Sequence, residues 1–300
     1  LSTLENYYDL ARADDFERLF GGLKIGQNPT PLRNRYFVLT LNFSTVDPQG
    51  DQDAIRRALF EHVNTQIENT VARYAAWLRQ PVRITPDNAI SSLYSLLGAV
   101  SQTPHKLYLL VDEYDNFANE VMINPARGAD RYHELVESEG TIKTFFKAVK
   151  AGAEGRGIDR VFLTGVSPVV LSDMTSGYNV AEDLSQRPRF HDLCGFTGTE
   201  LRAALEATAA AHDLDAGLVD AALDLMRDFY NGYRFTSQRE ERVYNPTLAL
   251  YFLKQWAENG AYPEQLLDDN LAMDRNRIQY VARLPHGETL VNRALDPTEP

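Results

Sequence analysis

An almost wholly apolar run, Leu107-Tyr-Leu-Leu-Val111, ends in the adjacent acids Asp112 and Glu113, with a third acid at Asp115. A strand of this kind delivers its carboxylates to the carboxyl edge of a parallel sheet, where open α/β folds bind ligands. The chemistry that suits them is phosphoryl transfer. Mg²⁺ bridging two phosphates needs a carboxylate, reached directly or through its waters, and hydrolysis needs a base that orients an attacking water. Asp112 fits the first task and Glu113 the second. The competing reading is a strand capped by solvated acids that start a turn. A second apolar run, Val161-Phe-Leu163, ends in Thr164-Gly165. There a hydroxyl at a strand end can hydrogen-bond a terminal phosphate or the water, and Gly165 permits a tight turn. A threonine that merely finishes a strand is the plain alternative.

The surrounding pattern is that of helices alternating with short buried strands. Tyr36–Phe43 is rich in β-branched and aromatic residues and predicts a third strand. Helical periodicity runs over residues 1–8, Arg12–Phe20, Asp51–Leu78, Pro86–Val100 and Arg131–Ala153, the last closed by Gly155 and Gly157. Pro86 stands where a helix can start. Strands separated by helices predict an α/β fold with a parallel sheet and helices on its faces. After Gly195 the chain becomes rich in alanine and leucine, with helices expected over Thr199–Ala211, Ala216–Phe229 and Pro246–Glu258. A small hairpin is expected between Arg234-Phe235 and Val243-Tyr244. The expected domains are therefore 1–195, an α/β core, and 196–300, a helical domain.

Composition narrows the class. The 300 residues carry 30 basic and 42 acidic side chains, a net charge of −12, which argues against a chain built chiefly to coat nucleic acid. No sequence stripe of basic residues interleaved with aromatics marks a single-strand binder. One cysteine, Cys194, allows no internal disulfide. No apolar run approaches the roughly 20 residues that cross a bilayer. With no leader pattern either, a cytoplasmic protein without membrane contact is expected. The chain opens at Leu1 inside a helical pattern, without a cap or a methionine, as a piece of a longer protein would.

Six motifs give the sequence a resemblance. Asp112-Glu-Tyr-Asp115, Phe162-Leu-Thr-Gly-Val-Ser-Pro168, Thr175-Ser-Gly-Tyr-Asn179, Leu193-Cys-Gly-Phe-Thr197, Tyr230-Asn-Gly-Tyr-Arg-Phe235 and Val243-Tyr-Asn-Pro246 occur in this order. In this the chain resembles the AAA-ATPase-like proteins, P-loop NTPases that carry a PD-(D/E)XK-type nuclease domain at the carboxyl end. The resemblance implies that Asp112 and Glu113 are the Walker B acids and that Thr164 is a sensor-type position. It implies ATP and Mg²⁺ as ligands, with Asp112 on the metal. The helices after Gly195 then form a lid or winged-helix-like domain, with Tyr233 and Asn245 in its recurring motifs. The family's Gly-Lys-Ser/Thr phosphate loop, which would precede a helix resembling Leu1–Tyr7, has no counterpart in the sequence, because Gly21-Gly-Leu-Lys24 lacks the spacing and the hydroxyl. By the same resemblance the core's first strand and the nuclease domain are missing, and Val161–Leu163 becomes a sheet edge. The implied function is an ATP-hydrolysing switch or motor for an attached nuclease, with these 300 residues inactive alone and a homo-oligomer as a possible assembly. The alternative is a non-catalytic, partner-binding scaffold on the same fold.

Lesser signals carry their own expectations. The six histidines show no metal-ligating spacing. Cys194 is expected to be a packed core thiol. Arg187 and Arg189 are candidate arginine fingers, weighed against ordinary surface arginines. Arg234, between aromatics, is expected to stack on them. Asp268 and Asp269 read as a helix terminus.

Overall fold

In a computed structural model, residues 1–47, 51–115, 141–165 and 181–266 are described. The motif Thr175–Asn179, the pair Asp268 and Asp269, and His133 and His286 lie outside them. The chain divides into two compact units, Leu1–Ala181 and Glu182–Pro300.

The first unit opens with helix α1 (Ser2–Tyr8). The expected helix over Arg12–Phe20 is split. Asp9 turns out of α1 and its side chain accepts the Ala11 N–H at 2.8 Å, so a 3-10 stretch, Leu10–Asp15, intervenes before α2 (Phe16–Phe20). A short α3 (Lys24–Gln27) follows and holds Lys24, so Gly21–Lys24 forms a turn and helix start. Strand β1 (Tyr36–Asn42) leads to α4 (Gln52–Arg73), capped by Asp51 through the Ala54 N–H. Helix α5 (Ala89–Ser101) starts three residues later than Pro86 suggests, because Asn88 takes the capping position and accepts from Ser91 N–H. Then come β2 (Lys106–Asp112), α6 (Thr141–Ala153) and β3 (Ile158–Leu163).

The three strands are parallel in the order β1-β2-β3. Tyr36 stands opposite Lys106, Asn42 opposite Asp112, and Val111 opposite Leu163. Among the described residues β3 pairs with β2 alone, and Val161, Phe162 and Leu163 are half-buried. Alternation along the strands sorts their side chains onto two faces. Phe37, Leu39 and Leu41, with Leu107, Leu109 and Val111, join Leu59, Val63 and Ile67 of α4, Leu93 and Leu96 of α5, and Phe145, Phe146 and Val149 of α6 in one continuous core. Tyr36, Val38, Tyr108 and Leu110 form a much smaller cluster on the other face, closed by Leu1, Leu4 and Tyr8.

The second unit holds α7 (Gly198–Ala211), α8 (Val219–Tyr230), β4 (Asn231–Tyr233) antiparallel to β5 (Val243–Tyr244), and α9 (Pro246–Asn259). The hairpin strand is Asn231–Tyr233, slightly upstream of Arg234-Phe235. Thr197 and Glu200 form a capping box on α7, and Gly260, at φ +67°, ends α9 in the left-handed conformation that glycine tolerates. Compactness divides the chain at 181/182, whereas composition divides it at 195/196. Residues 182–195 belong with the second unit because His191 Nε2 lies 2.6 Å from the Glu241 carbonyl and Phe196 pairs with Tyr244.

Candidate functional site

Parallel strands place all their carboxyl ends on one edge, and the register decides which residues meet there. Asn42, Asp112 and Thr164 end or follow the three strands in adjacent lanes, and by alternation they belong to the thinly covered face with Val38, Leu110 and Phe162. Thr164 extends the ladder by one step, its N–H donating to the Val111 carbonyl at 2.9 Å. Its own carbonyl accepts the Tyr114 N–H at 3.1 Å. These two bonds fasten the turn after β2 to the end of β3, so the acids do not depend on a free loop for their position.

The side chains follow from that frame. Thr164 Oγ1 donates to Asp112 Oδ1 at 2.6 Å, and the Glu113 N–H reaches the same oxygen at 3.1 Å. Asp112 is thus held through Oδ1, while Oδ2 makes no hydrogen bond among the described residues and is left to a ligand. Glu113 is exposed and sits at φ +49°. A left-handed conformation costs a non-glycine residue roughly 1–2 kcal/mol, and such strain gathers at functional sites. Behind it Tyr114 and Asp115 are buried. Gly165 packs so closely on them that a methyl group there would collide with Asp115 Oδ1 and the Tyr114 ring. The structure therefore brings Asp112, Glu113 and Thr164 together.

Asn42 is a site-edge residue that the acids and hydroxyls of the sequence do not point to. It ends an apolar strand as Asp112 does, and the same strand-end criterion applied to Tyr36–Phe43 finds it. Asn42 Oδ1 accepts from Ser44 N–H (3.0 Å) and Ser44 Oγ (2.7 Å), so its amide nitrogen remains available. Nearby, Thr45 Oγ1 lies 3.2 Å from His62 Nδ1, and burial pushes the His62 imidazole below its ordinary pKa. No ion pair joins Asp112 or Glu113 to a base among the described residues, and two adjacent carboxylates at one strand end suit a cation.

Mg²⁺ is the cation to test. It takes one or two carboxylates, fills its remaining positions with phosphate oxygens and water, and seldom uses an all-protein cage. No described group of three or more His, Cys, Asp and Glu forms such a cage. One carboxylate with an open oxygen, fixed by a hydroxyl, fits that need.

The other candidates are occupied elsewhere. Cys194 is exposed, which corrects the expectation of a core thiol: the turn Asp192–Cys194 stands at the surface while His191 and Phe196 anchor its two ends. Arg234 does not stack; its Nε donates to the Arg239 carbonyl at 2.9 Å and its Nη2 to the Ser237 carbonyl at 2.9 Å, clamping the hairpin loop. The stacked pair there is Tyr233 with Phe235. Arg187 pairs with Glu182 at 3.1 Å, and Arg189 lies over the Phe190 ring. Asn245 caps α9 through Thr247 N–H and Leu248 N–H and donates to Tyr233 Oη at 3.1 Å, which gives both motif residues a structural role.

The chain is similar to the "Uncharacterized protein in vnfD 5'region" of Azotobacter chroococcum mcd 1, at 30% identity over 169 residues. That match covers 54% of this chain and 28% of the relative, so the chain spans well under two thirds of the longer protein. No solved structure matches. The family described as "Predicted AAA-ATPase" matches residues 1–175, the stretch that holds the whole sheet and all three strand-end residues. By that match, over more than half of its length, the chain belongs to the AAA-ATPase-like family.

Proposed function

We propose that the first unit is the catalytic half of an ATP-hydrolysing AAA-like module. The observation that carries this reading is the bond from Thr164 to Asp112, which fixes one carboxylate with an open oxygen beside an exposed, left-handed Glu113. Asp112 would hold Mg²⁺, which when bound neutralises phosphate charge. Glu113 orients the attacking water and takes its proton. Thr164 has a single hydroxyl proton, which it donates to Asp112, so it acts first as a positioning residue for that carboxylate. Contact with the terminal phosphate by donation would require the hydroxyl to turn away from Asp112.

The phosphate cradle is assigned to residues upstream of Leu1, on a strand pairing with the outer edge of β3. That β3 pairs with β2 alone among the described residues, that its side chains are half-buried, and that Leu1 and Leu4 pack on the sheet face that includes Phe162 support that placement. A role as switch or motor for a carboxyl-terminal nuclease domain is supported by the order of the motifs and by the greater length of the Azotobacter relative.

The test is steady-state ATP hydrolysis by a longer form that includes the upstream residues. Glu113→Gln should keep nucleotide binding and lower turnover by roughly 10²–10⁴-fold, the worth of a positioned acid–base group. Thr164→Val should raise the Mg²⁺ concentration needed for half-maximal rate, with a smaller loss of turnover. Parental turnover by Glu113→Gln would remove the base assignment.

A further inference from the structure

Although the chain has 42 acids against 30 bases, the amino edge of its sheet is lined with cations. Arg35 directly precedes β1, Lys106 opens β2, and Arg156 lies two residues before β3. Parallel strands begin side by side, so three residues far apart in sequence stand in adjacent lanes, roughly 5 Å from one lane to the next. The lanes are tied together: His105 Nδ1 lies 3.2 Å from the Arg35 carbonyl, and the Leu107 N–H donates to the Gly157 carbonyl at 2.9 Å. All three cations are exposed, and none has an ion-pair partner among the described residues. Other arginines of the unit are paired: Arg12 and Arg18 with Asp15, Arg56 with Asp53, and Arg73 with Glu5 and Asp9. Of the acids in these segments, Asp159 is engaged by Tyr36 Oη and Arg160, and Glu154 stands exposed near Arg156.

An exposed indole is joined to this end of the sheet through buried rings. Trp77 follows the carboxyl end of α4 and is 36% exposed, high for an indole. Its ring lies 6.1 Å from Tyr74, Tyr74 lies 4.7 Å from Phe37, and Phe37 lies 5.5 Å from His105, next to Lys106. Arg79, exposed and also without an ion-pair partner among the described residues, is two residues beyond Trp77. Unpaired cations alone would suit any polyanion. A flat aromatic face at the same end of the sheet adds a use that an acidic peptide does not have, namely stacking on a nucleobase.

We propose that this amino edge binds single-stranded nucleic acid, with Arg35, Lys106 and Arg156 on backbone phosphates and Trp77 stacked on a base. The surface lies at the opposite edge of the sheet from Asp112 and Glu113, so the proposal stands apart from the nucleotide reading.

The test is fluorescence anisotropy of a labelled oligothymidylate of roughly 12 nucleotides, within the site sizes of single-strand binders. Titrated with the 300-residue chain between about 50 and 200 mM salt, binding should weaken with a log–log slope near −2, as three released counterions on a single strand require. The triple variant Arg35→Gln, Lys106→Gln, Arg156→Gln should bind at least about tenfold more weakly at low salt and lose most of the slope. Trp77→Ala should bind roughly 5- to 150-fold more weakly with the slope unchanged, the loss of one stacked base. Should Trp77→Ala lose its circular dichroism, Trp77→Phe replaces it and should retain most of the affinity. Arg57→Gln, an exposed arginine on α4, is the control and should leave binding unchanged. No binding at low salt overturns the proposal, as does a triple variant that binds like the parent. An unaffected Trp77→Ala, with polyglutamate displacing the oligonucleotide, also overturns it and assigns the edge to an acidic protein.

Discussion

The two faces of the sheet are built very differently. On one, α4, α5 and α6 lie over Phe37, Leu39, Leu41, Leu107, Leu109 and Val111, and nearly every one of these side chains is out of contact with water. On the other, a short α1 covers Tyr36, Val38, Tyr108 and Leu110, and towards β3 burial falls on both faces, with Val161, Phe162 and Leu163 all half-buried. Asn42, Asp112 and Thr164 share parity with the second set. The thick face holds the larger core, and the thin face carries the strand-end residues of the proposed site. Groups that must meet a charged ligand have to stay within reach of water until it arrives, which a face closed by three helices would prevent.

The contrast can be broken most directly by truncating each face in turn. Leu109→Ala, fully buried on the thick face, should lower unfolding free energy by about 2–5 kcal/mol in urea denaturation. Phe162→Ala removes a larger side chain but should cost less, about 1–2 kcal/mol, because that ring is already half in water. Equal costs would mean that the outer strand β3 is as well packed as the middle strand β2.

A middle-sized effect concerns pH. Tyr8, Tyr36 and Tyr108 cluster on the thin face, Tyr36 edge-on to the other two, and burial pushes the Tyr108 phenol up to about 12. The ordinary tyrosine value is near 10, so between those values the folded chain keeps a proton that the unfolded chain releases. Stability from this group is therefore complete below pH 10 and is lost as pH rises towards 12, by roughly 1–3 kcal/mol. Tyr108→Phe should flatten that part of the profile. An unchanged alkaline limb would show that Tyr108 is better solvated than its surroundings indicate.

The smallest predicted effect has the opposite sign. Glu113→Gly relieves the left-handed backbone at φ +49° and should raise the denaturation midpoint by the equivalent of about 0.5–1 kcal/mol, even though it removes the proposed base. A net destabilisation would mean that contacts of the Glu113 side chain outweigh the strain.

Much of the fold is legible in the sequence because the relevant forces are local. Apolar runs bounded by turn residues locate all three strands to within a few residues, and the helical stretches expected over Asp51–Leu78, Thr199–Ala211 and Pro246–Glu258 contain most of α4, α7 and α9. Local chemistry also explains the differences. Asn88, not Pro86, supplies the side-chain acceptor that starts α5, and Asp9 interrupts what looks like one amino-terminal helix. Cys194, a small apolar side chain beside Gly195, reads as a core thiol, but the turn carrying it faces water. For the candidate site, the two acids and Thr164 can be named from strand endings alone. Asn42 cannot be joined to them without the pairing of β1 with β2.

Sequence by itself determined the alternating α/β pattern, the apolar strands and the acids that end the middle one, since each depends on residues close together in the chain. Which strands are neighbours, and in what register, is a long-range matter settled by packing all the helices and strands at once. Only the tertiary structure could therefore decide that Thr164 donates its proton to Asp112 and that both share an edge with Asn42. The same registry gathers Arg35, Lys106 and Arg156 on the opposite edge of an acidic chain, because parallel strands bring their beginnings together as surely as their ends.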